Sequence, residues 1–432
     1  MEKKLYDTYV KILEEELVPA MGCTEPIAIA YGAAVARETL GEIPDEVEIT
    51  ASGNIIKNVK SVVVPNTGGL RGISAAAAAG IRAGRAEKKL EVLADISREQ
   101  VDGISDYLRQ AKFRVKAAES GCVFDLLITV KKDGHEAAVR IQGHHTNLVL
   151  IQKDREILLD REYSEEHTEK GGADRSLLNV KEIIQFADEA KISDVEEVIG
   201  RQVDYNTAIA EEGMRGNWGA GIGRILLQSY GNSVQNRAKA MAAAGSDARM
   251  SGCEMPVVIN SGSGNQGMTA SLPVIVYAQE LNVSREQMIR ALLVSNLVTI
   301  HLKTGIGTLS AYCGAISAGC GAGAGITYLY GGGYTEIAHT IVNALAINSG
   351  VVCDGAKASC AAKIASAVEA GVLGMKMYQF GSQFYGGDGI VAKGIEETIE
   401  NVAELARDGM RETDRKILEI MTEKEEKTRN RR

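Results

Sequence analysis

Proline is scarce in this chain, with six residues among 432; aromatics make up 5%, and there is a single tryptophan, Trp218. So little proline argues against a polyproline or linker-rich protein. So few rings leave a core of aliphatic and small side chains. The body of the chain also lacks any cluster of Lys and Arg, and its formal net charge is −9. Phosphate backbones need grouped cations, so nucleic acid is not expected as a partner. The nearest basic run, Lys424 to Arg432, mixes Glu with Lys and Arg and reads as a solvated helix end. The N-terminus has no apolar signal core. Apolar stretches such as 314–329 are too short and too Gly-rich to span a bilayer. A soluble, cytoplasmic protein is expected, with no membrane partner. In that compartment seven cysteines point to thiol chemistry or metal ligation rather than disulfides.

What is present is 45% hydrophobic residues and 47 glycines, most of them among alanines. That suits closely packed helices, and the length is a prior for two or three domains. Apolar positions at helical spacing run from Leu5 to Leu17 and from Ile27 to Leu40. Residues 43–165 alternate helices with β-type runs: EVEITAS, KSVVVP, FRVKAAES, VFDLLITVKKDGHEAAVRIQG and NLVLIQKDREIL. Lys132-Asp133-Gly134 suits a hairpin turn. Residues 73–84 and 97–111 read as helices, and 163–180 as a linker. From Val180 on nearly everything reads helical. The expected fold class is α+β: a large helical domain of residues 1–42 plus 180–432, with a smaller α+β domain at 43–165.

The cysteines carry the strongest chemical signal. Cys313 lies in SAYCGAISAGC, and Cys353 and Cys360 bound the segment CDGAKASC. Gly/Ala-rich surroundings let backbone N–H groups approach cluster sulfurs. Cys353 and Cys360 are two helical turns apart, too far on one rigid helix for a small metal. A loop at Asp354-Gly355 can bring both to a larger inorganic cluster. The spacing does not indicate a mononuclear zinc site. On spacing alone, a role as small buried hydrophobes remains open for them. Cys23 precedes Thr24, a helix cap, and Pro26 in the first turn. There the helix dipole lowers a thiol's pKa, which makes Cys23 a candidate acid or base.

Asn260 to Thr269, NSGSGNQGMT, resembles an anion cradle at a helix start, with Ser261, Ser263, Asn265 and Gln266 as substrate-binding candidates. It is neither a Walker loop nor a dinucleotide fingerprint, so a carboxylate suits it better than a triphosphate. Asn54 with Lys57, Asn66 with Arg71, and Lys303 with His301 sit where loops meet regular elements and are further candidates for holding a substrate. Adjacent His144 and His145 end a strand, point to opposite sides and do not chelate one metal together.

Taken together, GCTEPIAIA at 22–30, NIIKN at 54–58, NSGSGNQGMTASLPV at 260–274, KTGIGTLSAYCGAISAGCGAGAG at 303–325 and GVVCDGAKASCAAKIA at 350–365 resemble the L-cysteine desulfidase family. That family is similar to the α chain of iron–sulfur L-serine dehydratases. The resemblance covers nearly the whole chain. It implies a [4Fe–4S] cluster on Cys313, Cys353 and Cys360, one iron left open to substrate, and Cys23 as the base. The implied reaction is β-elimination from L-cysteine, giving pyruvate, ammonia and hydrogen sulfide. Such dehydratases carry a Ser-Ser-His-Thr segment, and some end in a capping Cys; this sequence has no such segment and ends Asn430-Arg431-Arg432. Both departures favour cysteine over serine. A serine dehydratase and a non-enzymatic iron–sulfur sensor remain alternatives, the second because Cys122, Cys253 and Cys320 could complete a four-thiolate set. The expected partner is a small amino acid, and a homo-oligomer is left open.

Overall fold

Helical periodicity near the N-terminus yields α1 (Lys3–Glu16) and, after the short β1 (Pro19–Met21), α2 (Thr24–Leu40). The computed structural model describes residues 1–118, 122–162, 172–307 and 310–429. Next come β2 (Glu46–Ala51), α3 (Gly53–Val59), α4 (Ile73–Ala83) and α5 (Arg98–Gln110). Then follow β3 (Lys112–Ala117), β4 (Asp125–Lys132), β5 (His135–Gln142), β6 (Leu148–Lys153) and β7 (Glu156–Asp160). The remainder is helical apart from β8 (Pro256–Val258). Its helices are α6 (Val180–Glu189), α7 (Ile192–Arg215), α8 (Ile222–Tyr230), α9 (Val234–Met250) and α10 (Gly264–Glu280). They continue with α11 (Arg285–Ile306), α12 (Gly314–Leu329), α13 (Tyr334–Ile347), α14 (Cys360–Gln379), α15 (Ile395–Glu404) and α16 (Arg411–Arg429). The fold is α+β and mainly helical.

Six strands form one sheet in the order β3-β2-β4-β5-β6-β7, antiparallel except for the parallel pair β2–β3. That pair is joined by a crossover through α3, α4 and α5, as a parallel connection requires. Period-two alternation shows directly in β2, whose Val47, Ile49 and Ala51 are buried between exposed or half-buried neighbours. The β4–β5 hairpin turns at Asp133 and Gly134, both left-handed at φ 47° and 86°, as the Asp-Gly pair predicts. KSVVVP differs from its β-type reading. Val62, Val63 and Val64 are buried, and among the described residues their strand-type pairing is limited to an isolated bridge from Val63 to Arg71.

Two main apolar cores divide the chain. One gathers α1 with the helices after residue 180; the other joins α2 and α4 to the sheet. Sequence alone places α2 with the helical part. Instead its apolar surface, including Ile27, Ala30 and Ala34, is buried against α4 and β5. Of the expected linker 163–180, residues 163–171 lie outside the described residues; the next stretch holds a short 3₁₀ turn, Arg175–Leu177, before α6. Among the described residues no helix is long and apolar enough to cross a membrane.

Candidate active site

Two short backbone ladders bring distant loops together. β1 pairs with β8, Met21 opposite Pro256, so the Cys23 turn lies beside the Ser261–Ser263 loop. There Thr24 Oγ1 donates to the Gly262 carbonyl at 2.9 Å. A second contact is the bridge from Tyr312 to Val352, flanked by hydrogen bonds from Cys313 N to the Val351 carbonyl (3.0 Å) and from Cys353 N to the Ala311 carbonyl (2.6 Å). It sets Cys313 beside Cys353 on one cavity. Gly355 then turns the chain at φ 97°, where a Cβ would lie 2.6 Å from the Lys57 carbonyl oxygen. Only glycine fits that turn, which returns the chain to Cys360 at the start of α14. Gly314 matters for a different reason: a Cβ there would meet the Gln266 side chain at 2.6 Å, so the first turns of α10 and α12 touch.

These loops enclose a cavity of about 110 Å³ lined by Cys23, Cys313, Cys353 and Cys360, with Asn54, Lys57, Ser261, Ser263, Asn265, Gln266 and Lys303. Four helices begin on it. Cys23, Ser263 and Cys313 are the N-cap residues of α2, α10 and α12, and Cys360 opens α14. Each helix start presents the positive end of its dipole and free N–H groups. Three buried cations, Lys57, Arg249 and Lys303, line the same space. The surroundings are built for negative charge. They also leave polar atoms unpaired: Asn54 Oδ1, Asn58 Oδ1, His145 Nε2, Gln266 Oε1 and the Tyr312 hydroxyl are buried without partners. Orphans of this kind are rare unless a ligand completes them.

The two neighbouring thiols shift each other in opposite directions: interaction with Cys313 holds Cys353 below its ordinary value, with Lys57 and Lys363 adding to the effect, and interaction with Cys353 together with burial holds Cys313 above it. Burial lowers the Lys303 ammonium to about 8, and its Nζ donates to the Gly307 carbonyl at 2.6 Å. Cys23 departs from the expectation of a depressed thiol. Burial pushes it up to about 12, and Arg249 pulls the other way without prevailing. The helix start favours a thiolate, but desolvation in a site only 1% exposed is the larger effect.

Of the residues singled out in the sequence, Asn66, Arg71, His144 and His301 are not among those lining this cavity; Arg71 Nη1 donates to the Ser61 carbonyl and His301 contacts Glu396. For Asn66 the role is structural. Its Nδ2 donates to the Leu93 carbonyl at 2.7 Å, and it holds a left-handed turn at φ 58°. Lys57 lines the cavity but is paired with Asp414 of α16 at 2.5 Å. Asn265 Oδ1 accepts from Arg249 Nη1 at 3.2 Å, and Ser261 sits at a strained φ of 48° with its hydroxyl on Asn260. Beneath that loop, Asn260 joins a buried amide network with Asn296 and Gln202. Cys122, Cys253 and Cys320 lie elsewhere, Cys122 Sγ contacting the Phe124 carbonyl at 3.2 Å. Sequence reasoning passed over Glu25, Asn58, Arg249 and Tyr312, and it placed His145 only at a strand end. The one available signal for Arg249 was a lone cation in the alanine-rich end of α9.

Among the described residues no three His, Cys, Asp or Glu side chains stand close enough to share a single metal ion. A four-iron cluster is wider and takes thiolates from around its faces. Three thiols on one cavity, with the Cys353 thiol held low in part by Lys57 and Lys363, suit such a group in donor chemistry and charge.

A family model described as serine dehydratase alpha chain matches residues 87–419. A UPF0597 protein of Desulfitobacterium hafniense is 60% identical, covering 97% of each chain. UPF0597 proteins of Lachnoclostridium phytofermentans and Treponema denticola are 50% and 48% identical, covering 96% and 98% of this chain and 100% and 99% of theirs. On that match, which spans most of its length and takes in the Ser261–Gln266 loop and all three clustered thiols, the chain belongs to the serine dehydratase alpha chain family.

Proposed function

We propose that this protein is an iron–sulfur lyase that removes the β-substituent of a small L-amino acid, with L-cysteine as its preferred substrate. The observation that carries the proposal is the convergence on one cavity of three thiols, four helix starts and five unpaired buried polar atoms. Cys313, Cys353 and Cys360 would hold a [4Fe–4S] cluster. When bound, it supplies a Lewis-acidic iron for the substrate's leaving atom. Soft thiolate chemistry favours a sulfur-bearing substrate there.

The chain's own residues supply the rest. Ser263, whose side chain makes no capping hydrogen bond, and the Gln266 amide are free to orient the substrate. Cys23 receives the α-proton. Because burial keeps its thiol protonated near neutrality, that proton must leave before the step, and Arg249 is the cation that favours its departure. The enamine left by elimination hydrolyses to pyruvate and ammonia. Lys303, held near 8, is the second proton acceptor on the cavity.

Anaerobic reconstitution tests the cluster directly. Wild type should take up iron and sulfide and develop the broad visible absorbance of a [4Fe–4S] centre. Cys313→Ser, Cys353→Ser and Cys360→Ser should each lose it, whereas Cys320→Ser should not. Full loading in all three site variants would remove the proposed ligand set.

A further inference from the structure

Arg249 and Glu25 line the same cavity, yet neither has a charged partner among the described residues. Arg249 is 3% exposed; its Nε donates to the Gly22 carbonyl at 2.9 Å and its Nη1 to Asn265 Oδ1 at 3.2 Å, both neutral acceptors. A buried guanidinium without an anion is costly, and an incoming carboxylate relieves that cost. On the same cavity, Glu25 accepts from a neutral donor, Asn58 Nδ2 at 2.9 Å, and lies 3.1 Å from the Thr24 hydroxyl, whose proton is directed to the Gly262 carbonyl. Its amide partner Asn58 keeps a buried, unpaired Oδ1, and His145 keeps a buried, unpaired Nε2. Arg249 and Glu25 line this cavity together with Cys23 and His145.

We propose that Arg249 and Glu25 form a clamp for the two charged ends of an α-amino acid, Arg249 taking the carboxylate and Glu25, with Asn58 Oδ1 and His145 Nε2, taking the ammonium. The stoichiometry fits. An ammonium has three N–H donors, and this corner offers three acceptors. Burial keeps the His145 ring neutral, so with its proton on Nδ1 the Nε2 lone pair is available. The clamp rests on the lyase reading above for its substrate class, and it makes amino acids, not hydroxy acids or simple amines, the ligands of the site. The Cα–H is thereby held between two fixed anchors, in a cavity that Cys23 also lines.

Binding to the reconstituted holoprotein tests it, read by perturbation of the cluster spectrum and by calorimetry. The probes are L-cysteine, L-alanine (both charged ends, no leaving group), 3-mercaptopropionate (no ammonium) and cysteamine (no carboxylate). Glu25→Gln should weaken L-cysteine and L-alanine by roughly tenfold or more, the value of a charge-assisted hydrogen bond, and leave 3-mercaptopropionate unchanged. Arg249→Gln should weaken L-alanine and 3-mercaptopropionate and leave cysteamine unchanged; Arg249→Lys, which keeps the charge, should fall between. Iron content should match wild type in all three. Equal losses for every probe in both charge-removing variants, or loss of iron with Arg249→Gln, would overturn the clamp, and so would a wild type that ignores L-alanine. The lyase reading stands apart from this. If L-alanine binds and responds to the variants while L-cysteine yields no pyruvate, the clamp holds and the proposed reaction fails.

Discussion

Cys23 and Ser263 are where chemistry and local structure meet most closely. If Cys23 takes the α-proton without touching iron, Cys23→Ser should keep the cluster's absorbance and lower turnover by about 10²–10⁴, the usual worth of a positioned base. Should the same change bleach the cluster, Cys23 is a fourth ligand, no iron is open, and a sensor becomes the better account. If absorbance and turnover both survive, the proton goes elsewhere, and Lys303, held near 8 inside the cavity, is the next acceptor to remove. Ser263→Ala should raise the KM for the amino acid while iron content stays level, because its hydroxyl serves no cap. At this scale the sequence was legible where a residue type is unusual in its context: a thiol at a helix start, a Ser-Gly-Ser-Gly-Asn run. The expected Thr24 cap is not formed; Cys23 itself is the N-cap, and the Thr24 hydroxyl serves the Gly262 carbonyl. The sequence was not legible where burial decides, as with the Cys23 thiol, or where an ordinary Arg or Glu becomes special because its neighbours withhold a counter-charge.

Helix α12 shows how an element fixes the position of a site thiol. Its glycines alternate between two neighbours. A Cβ on Gly319 would meet the Ala367 carbonyl oxygen at 2.4 Å on α14, and one on Gly321 the Ser295 carbonyl oxygen at 2.4 Å on α11. Cys313, its N-cap, is thus set by backbone-to-backbone contact on both sides. Gly319→Val should therefore force α12 from α14, lower stability by about 1–3 kcal/mol as overpacking does, and reduce cluster loading with every thiol still present; a thermal melt and an iron assay read both. The Gly/Ala texture of residues 314–325 made close helix packing predictable, though not which neighbours it meets. A second tie is Glu396 on α15, which accepts from Val180 N at the start of α6 (2.8 Å) and contacts His301 Nε2 on α11 at 2.6 Å. Burial alone would raise its carboxyl, but the His301 contact outweighs that and holds it below the ordinary glutamate value. A depressed carboxyl stabilises the fold above its unfolded value, near 4.3, and that stability is lost as pH falls through the lower folded value. The Tm deficit of Glu396→Gln should accordingly be full at pH 6–7 and shrink below about pH 4.

Across the whole molecule, the cavity is a seam between two cores. Asn54 and Lys57 on α3 and His145 after β5 come from the part whose core includes the sheet, and Ser263, Cys313 and Cys353 from the helical part, while Cys23 and Cys360 meet in a small third apolar cluster with Val62 and Met250. Helix α16 reaches across the seam, pairing Asp414 with Lys57 and the Met421 carbonyl with Lys60 Nζ at 2.7 Å. Fold class was readable from periodicity because period-two and period-3.6 stretches separate cleanly along the chain. The partition of α2 was not, since an Ala- and Ile-rich helix buried nearly all round carries no mark of which neighbour buries it. The seam also explains why the site could be assembled from motifs yet not completed. β1 with β8, and Tyr312 with Val352, pair residues hundreds or tens of positions apart in runs too short to read as strands. One measurement tests the central claim most directly: anaerobic incubation of the reconstituted protein with L-cysteine and, in parallel, L-serine, with sulfide and pyruvate quantified. The account predicts equal amounts of sulfide and pyruvate from L-cysteine, at a higher kcat/KM than pyruvate formation from L-serine. A fully loaded cluster that releases no pyruvate from either amino acid, or pyruvate from L-serine alone, would contradict it.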